Sequence, residues 1–443
     1  MEYRGQIEIE GATFQFMLKE YVLCILNDQK IFFSNKMVNS LIDGDNCISL
    51  KDNNGNLLLT KIAECHSKTR YEWVFDVKAY IIKYNRCDEI QNQAIACKGL
   101  LLKSDVLDYF FRENNSYTKE ALYLLNEWMG MEQRVEKPPH RKAFNIDIDG
   151  KRYDVQFKTI IQGNDNPFPF DIRNCMIVSG LGLSETKSIW KVFEIVSSFL
   201  KFISQSSHIN FVNPIILYNG IDINETDMYL YVKPDTQTRI ARERVLKYED
   251  MESVLGELLM AIYEDDINFR SLFIADYDKI THADIMNVCA AFEIQFDKKH
   301  KEEFVYQEQR RVRRKMVKLL KNMKEEKFIE EEYPLFDEII EGFNLYKDTL
   351  QKRIEKSLIE FVDIYGEDDI KADFELDFIN MPKRIKDSRN ALDHGNYQYK
   401  LESIMYWDSE LLRAIVYMLI LQMVGLKDSV KLKRLLKKLS RYT

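Results

Sequence analysis

The hydrophobic pattern changes its period along the chain, and this change limits the possible folds most strongly. Through the first 160 residues, apolar and polar residues alternate in short runs that end at turn residues, as in half-buried strands. From residue 297 onward, apolar residues instead recur at spacings of three and four, as on one face of a helix. The sequence therefore predicts an α+β protein with a β-rich N-terminal region, a mixed middle region and a C-terminal all-α helical bundle.

The boundaries of the predicted elements follow from these patterns. Predicted strands are residues 7–10, 13–18, 21–26, 31–34 and 73–82, with hairpins at 48–61, 144–158 and 214–232. Predicted helices are residues 101–131, 187–203, 251–263, 281–296, 301–323, 343–365, 378–392, 402–424 and 429–440. We expect three domains: a β-rich domain at 1–165, its mixed α/β continuation at 166–296 and the helical domain at 297–443.

Charge and composition narrow the functional classes. The net charge is −8, but residues 1–296 are near −10 and residues 297–443 near +2, an asymmetry that indicates contact between one part and a polyanion. The seven cysteines include no C-x2-C pair, so free buried thiols are expected. No apolar run reaches the roughly 18 residues that span a bilayer, and the N-terminus lacks a signal sequence. We therefore expect a cytoplasmic protein without a membrane partner.

Residues 383–396 are the one segment that carries recognisable chemistry. Its helix is predicted to stop at His394, because Gly395 suits the left-handed position after a helix end. Asn390 and His394 are four residues apart and share a face, whereas Arg389 and His394 converge only if the helix end unwinds. The helix C-terminus and nearby Asp393 favour a protonated imidazole, and Arg389 opposes it. Such a histidine can accept or give a proton near neutral pH.

These groups suit cleavage of RNA without a metal. The ribose 2′-OH attacks the adjacent phosphate, and Arg389 can stabilise the extra charge because its planar fork binds phosphate bidentately. Asn390 can orient the phosphate or His394. In-line displacement separates the attacking and leaving oxygens, so one histidine does not easily serve both. Two motif copies would solve this geometry, and we predict an isologous homodimer with a composite site.

The motif Arg389-Asn390-Ala391-Leu392-Asp393-His394 resembles the Arg-polar-x3-His motif of HEPN ribonucleases. The layout of nearly the whole chain, β-rich and then helical, resembles the ApeA family of anti-phage HEPN proteins. This resemblance implies an endoribonuclease of abortive infection that cleaves cellular RNA such as tRNA, with 2′,3′-cyclic phosphate products. It assigns the catalytic positions to Arg389, Asn390 and His394, a sensing or regulatory role to the N-terminal region, and a phage-derived trigger as a further partner.

Several other features leave alternatives open. Arg384 and Lys386 flank the motif and are predicted RNA contacts. The basic runs at 310–324 and 431–441 either contact phosphates or are solvated helix faces.

A non-catalytic HEPN sensor or RNA-binding and dimerisation protein is the main alternative function. A metal nuclease at Asp149, Gln156 and Lys158 is disfavoured, because Asp149 is the only carboxylate of the three and Gln156 supplies no charge for a Mg²⁺ ion. No metal or organic cofactor is predicted.

Overall fold

The computed structural model confirms the α+β architecture, with a β-rich N-terminal part and a helical C-terminal part. It describes residues 1–9, 11–26, 47–69, 72–84, 97–111, 143–163, 170–219, 227–234, 242–267, 272, 281–300, 306–327, 332–345, 349–374, 377–393 and 403–440. The chain divides into two compact units, Met1–Glu249 and Asp250–Thr443.

The N-terminal unit contains one antiparallel sheet of twelve described strands, in the order β3-β2-β1-β4-β5-β6-β12-β11-β7-β10-β9-β8. The strands are β1 (Glu2–Ile9), β2 (Ala12–Lys19), β3 (Val22–Leu26), β4 (Cys47–Asp52), β5 (Leu57–Lys68), β6 (Glu72–Lys83), β7 (Gly99–Lys103), β8 (Phe144–Ile148), β9 (Lys151–Gly163), β10 (Phe170–Ser179), β11 (Ile215–Tyr218) and β12 (Met228–Val232).

The first six strands close into a ring, because β3 pairs with both β2 and β6. Alternate residues of β1 and β2 point inward, as their period-two sequences require. Irregular register between β5 and β6, at Lys61–Ile62 and beyond, provides the local bends that such closure needs. The ring encloses an apolar core that includes Phe14, Trp73 and Phe75.

A tight hairpin and a close strand contact complete the ring. The buried Asp52 carboxylate accepts hydrogen bonds from the backbone N–H groups of Asn54 and Asn56, which fixes the turn between β4 and β5. Beside this turn, Gly5 of β1 pairs with Asp52 of β4. A Cβ atom at Gly5 would clash with the Lys51 carbonyl oxygen and the Asp52 Cα atom. Glycine is therefore required for β1 to approach β4 this closely.

Two helices pack on the rest of the sheet: α1 (Asp105–Phe110) and α2 (Thr186–Ser204). Ser104 caps α1 by accepting a hydrogen bond from the Val106 N–H. Aromatic rings join the two helices to strand β9: Phe110 contacts Phe157 and Phe199 with ring centroids 5.5 and 5.7 Å away. The helix predicted at 187–203 from its apolar spacing therefore packs its apolar face against a core.

The helical unit is built from nine described helices. They are α3 (Leu255–Tyr263), α4 (His282–Lys299), α5 (Tyr306–Lys327), α6 (Tyr333–Leu345), α7 (Leu350–Tyr365), α8 (Glu367–Phe374), α9 (Met381–Asp393), α10 (Ser403–Met423) and α11 (Ser429–Ser440).

Helix α10 is the centre of this unit. Every residue from Asp408 to Leu421 is buried, and α4, α7, α8, α9 and α11 all pack against the helix. The helix predicted at 402–424 therefore serves as the core of the bundle. Among the helices that the structure describes, none is both long enough and apolar enough to cross a membrane.

Most predicted elements are confirmed, and several regions differ. Helix α8 and the part of α6 before residue 343 were not predicted. Residues 99–103, part of which was predicted to be helical, form strand β7, and β10 was not predicted. The helix predicted at 343–365 is confirmed for Leu350–Tyr365, but its start is wrong, because α6 ends at Leu345 and Thr349 caps α7 through the Lys352 N–H. The strand at 31–34 and most of 101–131 lie outside the described residues.

The predicted domain boundaries stay predictions. The sheet includes β9 and β10, on either side of residue 165, and residue 296 lies within α4.

We expect Gly5→Ala to lower the free energy of unfolding by about 1–3 kcal/mol, because the added methyl group meets the backbone of β4 as well as the buried Phe16 ring. Urea unfolding followed by tryptophan fluorescence measures this, since Trp73 lies inside the ring. Gln6→Ala, at an exposed neighbour in the same strand, is the matched control. An unchanged midpoint for Gly5→Ala would show that the strands do not need this close approach.

Candidate active site on helix α9

Helix α9 carries the predicted motif and has one buried face. It follows a short 3-10 turn at Phe378–Asn380, and Pro382 lies in its first turn, where a missing N–H costs little. Met381, Ile385 and Ser388 are buried at spacings of four and three. They direct the helix against α4, α7 and α10, which leaves Lys383, Asp387 and Asn390 exposed.

An ion pair anchors the middle of α9 to α10. The Arg384 guanidinium donates from Nε and Nη2 to the two carboxylate oxygens of Asp408, both at 2.7 Å, and from Nη2 to the Asp377 carbonyl oxygen at 2.8 Å. Asp408 is fully buried, whereas the Arg384 side chain is 22% exposed. Burial raises the pKa of Asp408, and Arg384 opposes that shift. This bidentate geometry gives Arg384 a structural partner; its predicted RNA contact stays a prediction.

Arg389 lies on a different face of α9 and contacts two carboxylates. Its Nη1 lies 2.7 Å from the Asp393 Oδ2, one turn later in the helix, and its Nη2 lies 3.5 Å from the Glu293 Oε2 of α4. All three side chains are about one-third exposed, so solvent and a ligand can reach the guanidinium. Pairs with this exposure contribute only about 0–1 kcal/mol each, and a phosphate can compete for the same fork.

A buried thiol lies close enough to Arg389 to interact with it electrostatically. Cys289 of α4 is buried, and burial raises the pKa of its thiol to about 12. The Glu293 and Asp393 carboxylates add to this shift, whereas Arg389 opposes it. A thiol with so high a pKa stays protonated at neutral pH and is a poor nucleophile. The described part of the site thus consists of one cation and two carboxylates, with a thiol that is not a nucleophile nearby.

The remaining predicted residues differ in their surroundings. Asn390 is exposed next to Arg389, and the Lys386 Nζ lies 3.2 Å from the Asp387 Oδ1. His394 follows the last described residue of α9 and lies outside the described residues. The structure therefore brings Arg389 and Asn390 to the same helix end, while Arg384 belongs to the contact with α10.

Sequence reasoning did not identify the part that Glu293 plays. This residue precedes Arg389 by 96 positions, and no local spacing connects the two. The other partner, Asp393, has a detectable signal, because a carboxylate four residues from an arginine lies on the same helix face.

The other candidates lie in different environments. Both carboxylate oxygens of Asp149 accept hydrogen bonds from the Lys191 Nζ at 2.8 Å, so this carboxylate already has a cation. Within the part of the chain that the structure describes, no group of three or more His, Cys, Asp or Glu side chains is placed to hold a metal ion. In the C-terminal basic run, Lys433 and Lys437 pair with Asp369, and Arg434 pairs with Asp250.

Comparison with known families identifies the class of the helical unit. Residues 286–430 match the family model described as Apea-like HEPN. No curated protein and no solved structure matches the chain. The chain therefore carries an ApeA-like HEPN domain, which confirms the resemblance found in the motif. HEPN domains are typically ribonucleases; they bind RNA and often dimerise, and this class supports a nuclease-like function in defence.

We expect Arg384→Met to destabilise the protein by about 3–5 kcal/mol near pH 7, because it leaves a buried carboxylate without its cation. A carboxyl group whose folded-state pKa exceeds its unfolded value loses stability as pH rises between the two values. Removing Arg384 raises the pKa of Asp408 further, so the variant loses more stability than wild type as the pH rises above the unfolded-state pKa of an aspartate.

Urea unfolding at several pH values measures this effect. Lys383→Met, at an exposed residue of the same helix, is the control and should behave as wild type. Adding Asp408→Asn to Arg384→Met should remove the extra pH dependence. The assignment fails if the single variant keeps the pH profile of wild type.

Proposed function

We propose that the chain is a metal-independent endoribonuclease that cleaves cellular RNA, with tRNA as its substrate, in abortive-infection defence against phage in the cytoplasm. The observation that carries this proposal is the motif itself: Arg389 and Asn390 stand at the end of α9, inside residues that match the Apea-like HEPN model. The partly exposed Arg389 fork is suited to a phosphate in geometry and charge.

The proposed reaction is a transesterification within the RNA. The ribose 2′-oxygen loses its proton and bonds to the adjacent phosphorus, and the bond from phosphorus to the 5′-oxygen breaks. His394 transfers a proton, either from the 2′-OH or to the leaving 5′-oxygen. Arg389 stabilises the charge on the phosphoryl oxygens, and Asn390 orients the phosphate or His394. The products end in a 2′,3′-cyclic phosphate and a 5′-OH.

A homodimer supplies the second proton-transfer group in this proposal. The attacking and leaving oxygens lie on opposite sides of the phosphorus, so two histidines, one from each copy of the motif, fit the geometry better than one. RNA, a second copy of the chain and a phage-derived trigger are the proposed partners.

The contacts of Arg389 support a second candidate, a HEPN protein that senses or binds RNA without cutting it. Glu293 and Asp393 already offset the charge of Arg389, which weakens the cation available to a phosphate in the reaction. This candidate predicts RNA binding that falls steeply with salt and leaves the RNA intact.

We expect the wild-type protein to cleave total tRNA in EDTA and His394→Ala to abolish cleavage. Arg389→Lys should reduce the rate by about 100-fold or more, because a lysine keeps the charge but loses the fork. Product ends, analysed by mass spectrometry, should carry 2′,3′-cyclic phosphate. Lys383→Ala, at an exposed residue of the same helix, is the control and should cleave normally.

Two results would contradict this assignment. Cleavage by His394→Ala at the wild-type rate would exclude the catalytic role of the histidine, and cleavage lost in EDTA would favour metal chemistry. Salt-sensitive binding with no cleavage, even after phage lysate is added, would favour the second candidate.

We expect Asp393→Asn to tighten RNA binding about twofold to fivefold, because it removes a carboxylate that competes with phosphate for Arg389. Fluorescence anisotropy with labelled tRNA measures this, in a His394→Ala background that keeps the RNA intact. Glu355→Gln removes an equal charge at an exposed residue of α7, on a helix without predicted RNA contacts, and is the matched control. Equal affinities for the two variants would show that Asp393 does not compete at this site.

A further inference from the structure

Of the helices that the structure describes, α5 carries the largest positive charge. Its sequence has nine Lys and Arg residues against three Glu, a net charge near +6 in a chain whose net charge is −8. The helix packs chiefly on α6, which has three acidic residues and no basic ones. The positive charge of this helix pair is therefore concentrated on α5.

The exposed cations of α5 lie along one side of the helix. We call them the basic stripe, which consists of Arg311, Arg314, Lys318 and Lys321. Their spacings of three, four and three residues are those of neighbours on one helix face, and the stripe extends over about 15 Å of helix. All four side chains are exposed, and Lys315 is exposed beside them. A ligand in solution can therefore contact the whole stripe.

The cations of the basic stripe have no acidic partner among the residues that the structure describes. The second basic run of the chain, on α11, differs in this respect. There Lys433 and Lys437 pair with Asp369, and Arg434 pairs with Asp250. The sequence left both runs open between contact with phosphates and a solvated face. The structure favours α5 for the contact, because carboxylates already offset much of the charge on α11.

The exposed apolar residues of α5 lie on another side of the helix. They are Val312, Met316, Leu319 and Met323. Helix geometry places these residues about 150° around the axis from the basic stripe. A basic helix on a membrane buries its apolar face while nearby Lys and Arg side chains contact the anionic headgroups. Here burial of the apolar residues would turn the basic stripe away from the lipid, so the charge pattern does not fit a membrane surface.

We propose that the basic stripe binds the phosphate backbone of the RNA substrate, at a place separate from the motif on α9. The inference rests on the proposed function, which supplies RNA as the ligand. A row of exposed Lys and Arg side chains neutralises phosphates and releases counterions, and this adds affinity that does not depend on base sequence. The acidic α6 repels the backbone, so the RNA approaches from the side of α5 that carries the stripe.

Fluorescence anisotropy with labelled tRNA at several salt concentrations tests the basic stripe, in a His394→Ala background that keeps the RNA intact. The double variant Arg314→Gln, Lys318→Gln should weaken binding about tenfold or more at about 0.1 M salt. The slope of log K against log salt should become shallower by about 1.4–1.8, the value for two lost phosphate contacts.

The matched control is the double variant Lys371→Gln, Lys427→Gln. It removes the same charge at two exposed lysines elsewhere in the helical unit and should keep the wild-type salt slope. Arg314→Lys keeps the positive charge and should also keep that slope, which separates a phosphate contact from a structural effect. In cleavage assays, the stripe variant should raise KM for tRNA and leave kcat unchanged, because the stripe contacts the substrate equally in the ground and transition states.

The possible outcomes separate this proposal from the ribonuclease activity. An unchanged salt slope in the stripe variant, or an equal change in the control, would overturn the basic stripe and leave the ribonuclease assignment intact. The expected loss of affinity, in a chain whose wild type cuts no RNA, would support the stripe and contradict the ribonuclease. Wild-type binding to phosphatidylserine vesicles that the stripe variant loses, with tRNA binding unchanged, would assign the stripe to a membrane and overturn the proposal.

Discussion

The bidentate ion pair between Arg384 and Asp408 is the contact on which the arrangement of the helical unit depends. It joins α9, the helix that carries the motif, to the central helix α10. The Arg384 Nη2 also donates a hydrogen bond to the carbonyl oxygen of Asp377, which precedes α9. A buried carboxylate is tolerated there because a planar guanidinium matches both its oxygens. With α9 fixed at this point, Arg389, just over one turn later, faces α4 rather than α10. The structural arginine thus sets the direction of the proposed catalytic one.

Much of the fold was predictable, because the periodicities of strands and helices are local properties. The alternation in β1 and β2 and the Asp52–Asn56 turn follow from neighbouring residues alone. Strand β7 was missed because its run of leucines, buried on both faces, has no alternation to detect. The break before α7 was missed because Thr349 is a weak signal inside a continuous apolar spacing. Closure of the ring is a long-range pairing that no local pattern contains.

The candidate site was predictable in its residue types and less so in its electrostatics. Sequence identifies Arg389 and Asn390 as neighbours at a helix end. The spacing of four residues could also have placed Asp393 on the face of Arg389, a contact that was not predicted. Sequence does not show that Glu293 reaches the same guanidinium from another helix, nor that Arg384 has a buried partner. Both facts depend on which helices pack together, and tertiary packing decides whether a basic residue beside a motif is available to a ligand.

Strand β6 has a further consequence for how the N-terminal unit opens. One edge of β6 pairs with β5 along its length, while its other edge is shared, with Glu72–Asp76 bonded to β3 and Ala79–Lys83 bonded to β12. Strand β6 therefore belongs both to the ring and to the rest of the sheet, which continues from it through β12. If β3 or β12 separates from β6, backbone amides of β6 become exposed next to the pairing that remains. The opening of the ring and the opening of the rest of the sheet are therefore energetically linked, and β6 belongs to a single cooperative folding unit.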